Sequence, residues 1–194
     1  IIVQGKSGAG KSTLINSIFR EEIAKTGIGR PVTQEIRAIE KDGVPLKIYD
    51  TPGFELGAKQ QEDVKNGIIE LIESGNMSQD INKQIHCMLY CVNVGANRTF
   101  DDSEIEWLKK LTSESVSINV PIIIVLTQSV SEDNARKMKE DIEKLNLAVK
   151  KVVPVLAMDY KVDDNYIKKA YGLEELIEVM GEVLPEEIHK TFQN

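Results

Sequence analysis

The sequence has little positive charge to spare. Its 24 lysines and arginines face 31 aspartates and glutamates, for a formal net charge of −7. Gripping nucleic acid requires a basic face against the phosphates, so direct nucleic-acid binding by this chain is not expected, and an anionic membrane surface is disfavoured for the same reason. No apolar run approaches the roughly 20 residues of a spanning helix; the longest, Val120 to Leu126, is the size of a strand. No secretory leader is expected, because Ile1 opens directly into a strand and a glycine-rich loop. The start lies so close to that loop that an excised domain or missing leading residues are expected. Cys87 and Cys91 are the only cysteines. Four residues apart on one strand they are too distant for a disulfide, which points to reduced, buried thiols and a cytoplasmic protein. No Cys/His spacing suggests zinc, and His86 and His189 are assigned structural or surface roles. No Ser/His/Asp set at a strand–turn–helix elbow appears. There is no repeat, linker or low-complexity tract.

What the chain does have is alternation. Apolar runs of strand length alternate with helical patterns, the mark of a mostly parallel sheet covered on both faces. Ile1 to Gln4, Ile36 to Lys41, Val44 to Tyr49, His86 to Val94, Ile122 to Leu126 and Val152 to Leu156 read as strands. Asp42-Gly43 signals a hairpin, so one strand runs antiparallel, at the sheet edge. Helices are expected from Lys11, over Val64 to Ile72 with a stop at Ser74-Gly75-Asn76, after an Asp101-Asp102-Ser103 cap, over Ala135 to Leu145, and from Leu173 to a stop near Pro185. Trp107 is expected to pack its helix. The simplest division is one domain over residues 1–184 and a short tail over 185–194.

Gly5-Lys6-Ser7-Gly8-Ala9-Gly10-Lys11-Ser12 matches G-x-x-x-x-G-K-[ST] at every fixed position, after a strand and before a helix. Its glycines let successive backbone N–H groups turn inward around phosphates, and the positive end of the helix adds to that field. Lys11 supplies a full charge at the β and γ phosphates. Ser12 offers a hydroxyl to Mg2+, which keeps several waters and takes few protein ligands. Thr13, next along, completes the set expected at the nucleotide.

Asp50-Thr51-Pro52-Gly53 follows the third strand directly. A carboxylate at the end of a strand beside the phosphate loop can hold Mg2+ through water. Gly53, without a Cβ, can bring a backbone N–H against the γ-phosphate. Such contact would order the segment, and its loss would release it.

On these two motifs, their order and the strand pattern, the chain resembles the translation-factor-like class of GTPases. The DTPG form is similar to the Era, septin and immunity-associated branches, and Gly95 to Asp102 is similar to the loop after the fourth strand in the last of these. The resemblance implies a three-layer P-loop NTPase fold, with a mostly parallel six-stranded sheet, one antiparallel edge strand and helices on both faces. It implies GTP and GDP as ligands and Mg2+ as cofactor. It makes Thr33 the first-switch threonine that closes on Mg2+ and the γ-phosphate, with Thr26 as the alternative. The second switch would run from Asp50 through Gly57, with Gly53 and Gly57 as hinges. Lys11, Thr33 and Gly53 are thus the catalytic candidates, and Ser12, Thr33 and Asp50 the metal candidates.

Two departures qualify the resemblance. Guanine is read in this class by [Asn/Thr]-Lys-x-Asp, but the aligned residues are Thr127-Gln128-Ser129-Val130. Thr127 fits, Gln128 offers an amide and stem to stack on the base, and the aspartate is missing. Glu132 and Asp133 are near enough in sequence to replace it. The second base loop reads Leu156-Ala157-Met158, where Ala157 keeps the backbone N–H that meets the guanine O6. In catalysis, Phe54 stands where Ras-like members place the glutamine that orients water. Intrinsic turnover is therefore expected to be slow. An arginine in trans adds roughly 10³ to 10⁵ in rate, about 4 to 7 kcal/mol, so an activating protein or a homodimer is expected to raise it. Arg98 and Arg30 are the arginines nearest the nucleotide edge in sequence terms.

The leading expectation is a Mg2+-dependent GTP hydrolase acting as a switch. A nucleotide-gated scaffold with negligible hydrolysis and an ATPase on the same frame are the alternatives.

Overall fold

The sheet has the chain's most apolar segments at its centre, where both faces are covered. The computed structural model describes residues 1–6, 9–19, 30–31, 36–43, 46–51, 58–95, 100–113 and 120–185. In chain order the elements are β1 (Ile2–Gly5), α1 (Lys11–Phe19), β2 (Arg30–Pro31), β3 (Arg37–Glu40), β4 (Lys47–Asp50), α2 (Ala58–Met77), β5 (Met88–Asn93) and α3 (Asp102–Thr112). Then come β6 (Ile122–Thr127), α4 (Glu132–Glu143), β7 (Lys151–Pro154), β8 (Tyr160–Asp163), β9 (Tyr166–Lys168) and α5 (Leu173–Gly181). The order across the main sheet is β2-β3-β4-β1-β5-β6-β7.

β1, β4, β5, β6 and β7 are parallel; β3 runs antiparallel to β4, with Arg37 opposite Asp50 and Glu40 opposite Lys47. The expected six-stranded frame is thus present, with one antiparallel strand. The two-residue β2 adds a short pairing outside it.

Alternate residues along each strand serve opposite layers. Val3, Leu89, Ile123 and Val153 face α1 and α5, against Leu14, Ile18, Leu176 and Met180. Ile2, Tyr90, Ile124 and Val152 face α2, α3 and α4, against Val64, Ile68, Leu108 and Ile142. Every residue of β5 and β6 is buried, which is why these strands read as continuous apolar runs instead of alternating ones. Cys87 and Cys91 are free and buried, as expected, and burial pushes both thiols up to about 12.

Two local expectations are corrected. α2 does not stop at Ser74-Gly75-Asn76 but runs to Met77. Gly75 is a packing residue there, since a Cβ on it would lie 2.4 Å from the Lys83 carbonyl oxygen. The segment after β7 holds an unexpected antiparallel hairpin, β8–β9. It exposes Tyr160, Val162, Tyr166 and Ile167, so no buried face marks it in the sequence. Residues 186–194, most of the expected tail, lie outside the described residues.

The topology places a site before any side chain is considered. β1 lies between β4 and β5, and the chain leaves it first toward β2–β4 and later toward β5–β7. In open α/β sheets, ligands bind at the carboxyl ends of strands where the order reverses this way.

Candidate functional site

The turn leaving β1 is built for close approach of backbone. A Cβ on Gly5 would lie 2.5 Å from the Cys91 carbonyl oxygen, so glycine alone fits against β5 there. Gly10 has φ +76°, a left-handed conformation that side chains disfavour, and it packs against Thr127. Thr127 ties the loop to β6, donating its hydroxyl to the Ala9 carbonyl at 2.5 Å. α1 then starts at Lys11, so its free N–H groups point at the turn. Ser12 is exposed on the first turn.

Lys11 joins the two motifs. Its ammonium donates to the Gly5 carbonyl at 2.9 Å and to the Thr51 carbonyl at 2.7 Å, the latter immediately after Asp50. Thr51 is anchored in turn, its hydroxyl donating to the Val3 carbonyl at 3.0 Å. Burial raises the Asp50 carboxyl, against the attraction of Lys11 and Arg37. Among the described residues no group of three His, Cys, Asp or Glu gathers to hold a metal. The donors in hand are an exposed serine hydroxyl and a carboxylate beside an ammonium. Hard oxygen donors this few suit Mg2+, which completes its shell with water and phosphate oxygens.

Lys6 is turned elsewhere. Its ammonium lies 2.6 Å from Asp101 Oδ2 and 3.2 Å from Glu104 Oε2. Those residues form the capping box of α3: Asp101 accepts from the Glu104 N–H, and Glu104 accepts from the Asp101 N–H. Glu104 is buried and also accepts from the Tyr90 hydroxyl at 2.7 Å. Partial burial works against both charges, yet the pairing wins: the Lys6 ammonium is held above its usual range and Asp101 is pushed down to about 2. Trp107, expected as packing, also donates to buried Gln4 at 2.7 Å, a second tie between β1 and α3.

From Gly10 and Thr13 a cavity of about 550 Å³ opens between the ends of β6 and β7. Thr127, Gln128 and Val130 line one side, and Leu156, Ala157, Met158 and Asp159 the other. Gln128 has φ +52° and accepts from the Asn93 side-chain amide at 3.0 Å, which presents it to the cavity.

Of the residues singled out from the sequence, Gly5, Lys6, Ala9, Gly10, Lys11 and Ser12 belong to this turn and the start of α1, Gly10, Thr13, Thr127, Gln128 and Ala157 line the cavity, and Asp50 ends β4 next to Thr51, which Lys11 reaches. Ser7, Gly8, Thr26, Thr33, Gly53, Phe54, Gly57 and Arg98 lie outside the described residues, as does the side chain of Arg30. The two carboxylates offered for the base do not line the cavity. Glu132 pairs with Lys168 at 3.2 Å, and Asp133 accepts from the Arg136 guanidinium one turn along its own helix. The carboxylate on the wall is Asp159. It stands two residues after Ala157, where the second base loop runs into β8, and bonds from Ala170 and Lys169 hold it there.

A family model described as "50S ribosome-binding GTPase" matches residues 1–128. Human Septin-12 is 26% identical over 190 residues, covering 86% of this chain and 52% of that protein. Neuronal-specific septin-3 of Danio rerio is 26% identical over 167 residues, covering 74% of this chain and 45% of that protein. The chain thus spans about half the length of the curated relatives it matches. In fold it is similar to "a probable GTP-binding protein engB", with TM-score 0.55 at 23% identity over 95% of this chain and 98% of the other. It is also similar to a GTP-binding protein from Sulfolobus solfataricus solved with GDP, with TM-score 0.54 at 16% identity over 96% of this chain and 52% of the other.

Proposed function

This chain belongs to the 50S ribosome-binding GTPase family, and from that premise we propose that it binds GTP with Mg2+ and hydrolyses it slowly to GDP and phosphate, as a conformational switch. The observation carrying this reading is Lys11, whose ammonium spans Gly5 of the phosphate loop and Thr51 beside the Asp50 carboxylate.

In the proposed reaction, water attacks the γ-phosphorus and the bond to the β–γ bridging oxygen breaks, leaving GDP. Charge grows on that oxygen and on the γ-phosphoryl group. Lys11 and the N–H groups opening α1 would stabilise it as donors already oriented by the fold. Ser12, Asp50 and Thr33 would hold Mg2+, which neutralises phosphate charge. Gly53 would report the γ-phosphate through its backbone N–H. Lys6 contributes backbone to the cradle, while its side chain braces α3. Phe54 cannot orient water, so a group from a partner or a second copy is proposed to supply the missing catalysis. The reduced thiols of Cys87 and Cys91 agree with a cytoplasmic setting, and no helix among the described residues is long and apolar enough to cross a membrane.

The direct test is the nucleotide that co-purifies with the protein, together with thermal shifts in GTP or ATP with Mg2+. A guanine nucleotide and GTP-selective stabilisation are expected; stabilisation by ATP but not GTP would overturn the guanine assignment. Phe54 favours a second reading, a nucleotide-gated scaffold with negligible turnover. Retained GTP binding with no phosphate release over hours, even at high protein concentration, would select it.

A further inference from the structure

Neither Gln128 nor Val130 supplies the acceptor-only group that a guanine edge requires. We propose that Asp159, at the foot of the β8–β9 hairpin, is the carboxylate that reads the guanine N1–H and 2-amino groups, an inference resting on the GTP reading above.

A nucleotide whose phosphates sit at the turn before α1 must extend its sugar and base away from that helix end. The cavity begins there, at Gly10 and Thr13, and Asp159 is the one charged side chain among its described lining residues. Guanine presents two donors side by side, and an ionised carboxylate accepts without donating. The amides on the wall are less suited. Asn134 carries donors as well as an acceptor, and the Gln128 oxygen already accepts from Asn93.

Asp159 is also held in place. Its Oδ1 accepts from the Ala170 N–H at 2.7 Å, and its Oδ2 lies 3.3 Å from Lys169 Nζ. These bonds keep the carboxyl below its usual range. A carboxylate has about four lone-pair sites, so acceptor capacity is left over. The hairpin foot is pinned to the other base-facing segment: Tyr171 pairs with Leu156 and donates its hydroxyl to the Ser129 carbonyl at 2.7 Å, while Lys168 reaches Glu132 at 3.2 Å. The two walls of the cavity are thus joined through the hairpin, which fixes the carboxylate relative to Thr127 and Gln128.

The test is calorimetric binding of the Mg2+ complexes of GDP, IDP and XDP to the chain and to Asp159→Asn. The asparagine oxygen keeps the Ala170 bond and turns an NH2 group outward in place of an acceptor. The unmodified chain should prefer GDP over IDP, which lacks the 2-amino group, and over XDP, whose C2 bears a carbonyl, by about tenfold or more. The variant should lose GDP affinity by at least about tenfold and gain XDP affinity by a similar factor, a gain that misfolding does not produce. Glu132→Gln and Asp133→Asn should leave the order unchanged. If Asp159→Asn keeps GDP affinity and still rejects XDP, the inference is overturned and the GTP reading stands. Equal weakening of all three without an XDP gain assigns Asp159 to hairpin structure and overturns it too. Failure of the unmodified chain to bind any guanine nucleotide overturns both readings.

Discussion

Lys6→Met separates a lysine that serves phosphate from one that serves the fold. In the structure the Lys6 ammonium is committed to Asp101 and Glu104 at 2.6 and 3.2 Å. The Glu104 side chain is 2% exposed, the Asp101 side chain 41%. Removing one partner of a fully buried pair costs about 3–5 kcal/mol, because a charge is stranded. Glu104 would keep the Tyr90 hydroxyl and the Asp101 N–H, and Asp101 keeps solvent, so about half that loss, about 2 kcal/mol, is expected. For a chain of this size that lowers Tm by about 4–8 °C. Adding Glu104→Gln, which needs no cation, should recover part of the loss in a double-mutant cycle. The pH dependence has a definite sign. Asp101 is depressed to about 2 from a usual value near 3.8, so its contribution is present above the usual value and fades as pH falls toward the folded one. Lys6→Met should flatten stability across that acid window. Thermal melts at pH 7 and urea melts between pH 5 and 2.5, with GDP titrations, provide the assay. A Tm within 1 °C of the parent, combined with a tenfold or greater loss of GDP affinity, would refute the reasoning and return the side chain to the phosphates.

Three further outcomes follow from the same geometry. Lys11→Met should abolish stabilisation by Mg2+ and GDP, which in the parent should reach about 2.7 kcal/mol at one hundred times Kd; a preserved thermal shift would contradict the role of Lys11. Gly75→Ala, which helix propensity alone would make stabilising by about 1 kcal/mol, should instead destabilise by about 1–2 kcal/mol in urea melts, because the new Cβ meets the Lys83 carbonyl oxygen at 2.4 Å. Cys87 and Cys91, buried with thiols pushed up to about 12, should stay inert to Ellman's reagent at pH 8 in the folded chain and react once it is unfolded; rapid labelling of the native protein would count against their burial.

The frame and the glycine-built turn after β1 were legible from local spacing alone. Parallel strands covered on both faces must be apolar throughout, so β5 and β6 were legible as uninterrupted runs. A turn in which a Cβ at Gly5 would lie 2.5 Å from the Cys91 carbonyl oxygen, and which then adopts φ +76° at Gly10, favours glycine at both positions, so Gly5 and Gly10 announce it in one dimension. The remaining features were not legible, because they depend on residues far apart in the chain. The side chain of Lys6 has no partner legible nearby in sequence; α3 brings Asp101 and Glu104 to it. Gly75 looks like a helix stop until the chain returns Lys83 beside it. Glu132 and Asp133 are near the base motif in sequence but pair with Lys168 and Arg136 outside the cavity, while Asp159, two residues after Ala157, lines the wall and is held by Ala170 and Lys169 from the far side of the hairpin. Local spacing encodes what one turn of backbone must do; which charges meet is settled only when the sheet stacks its distant segments.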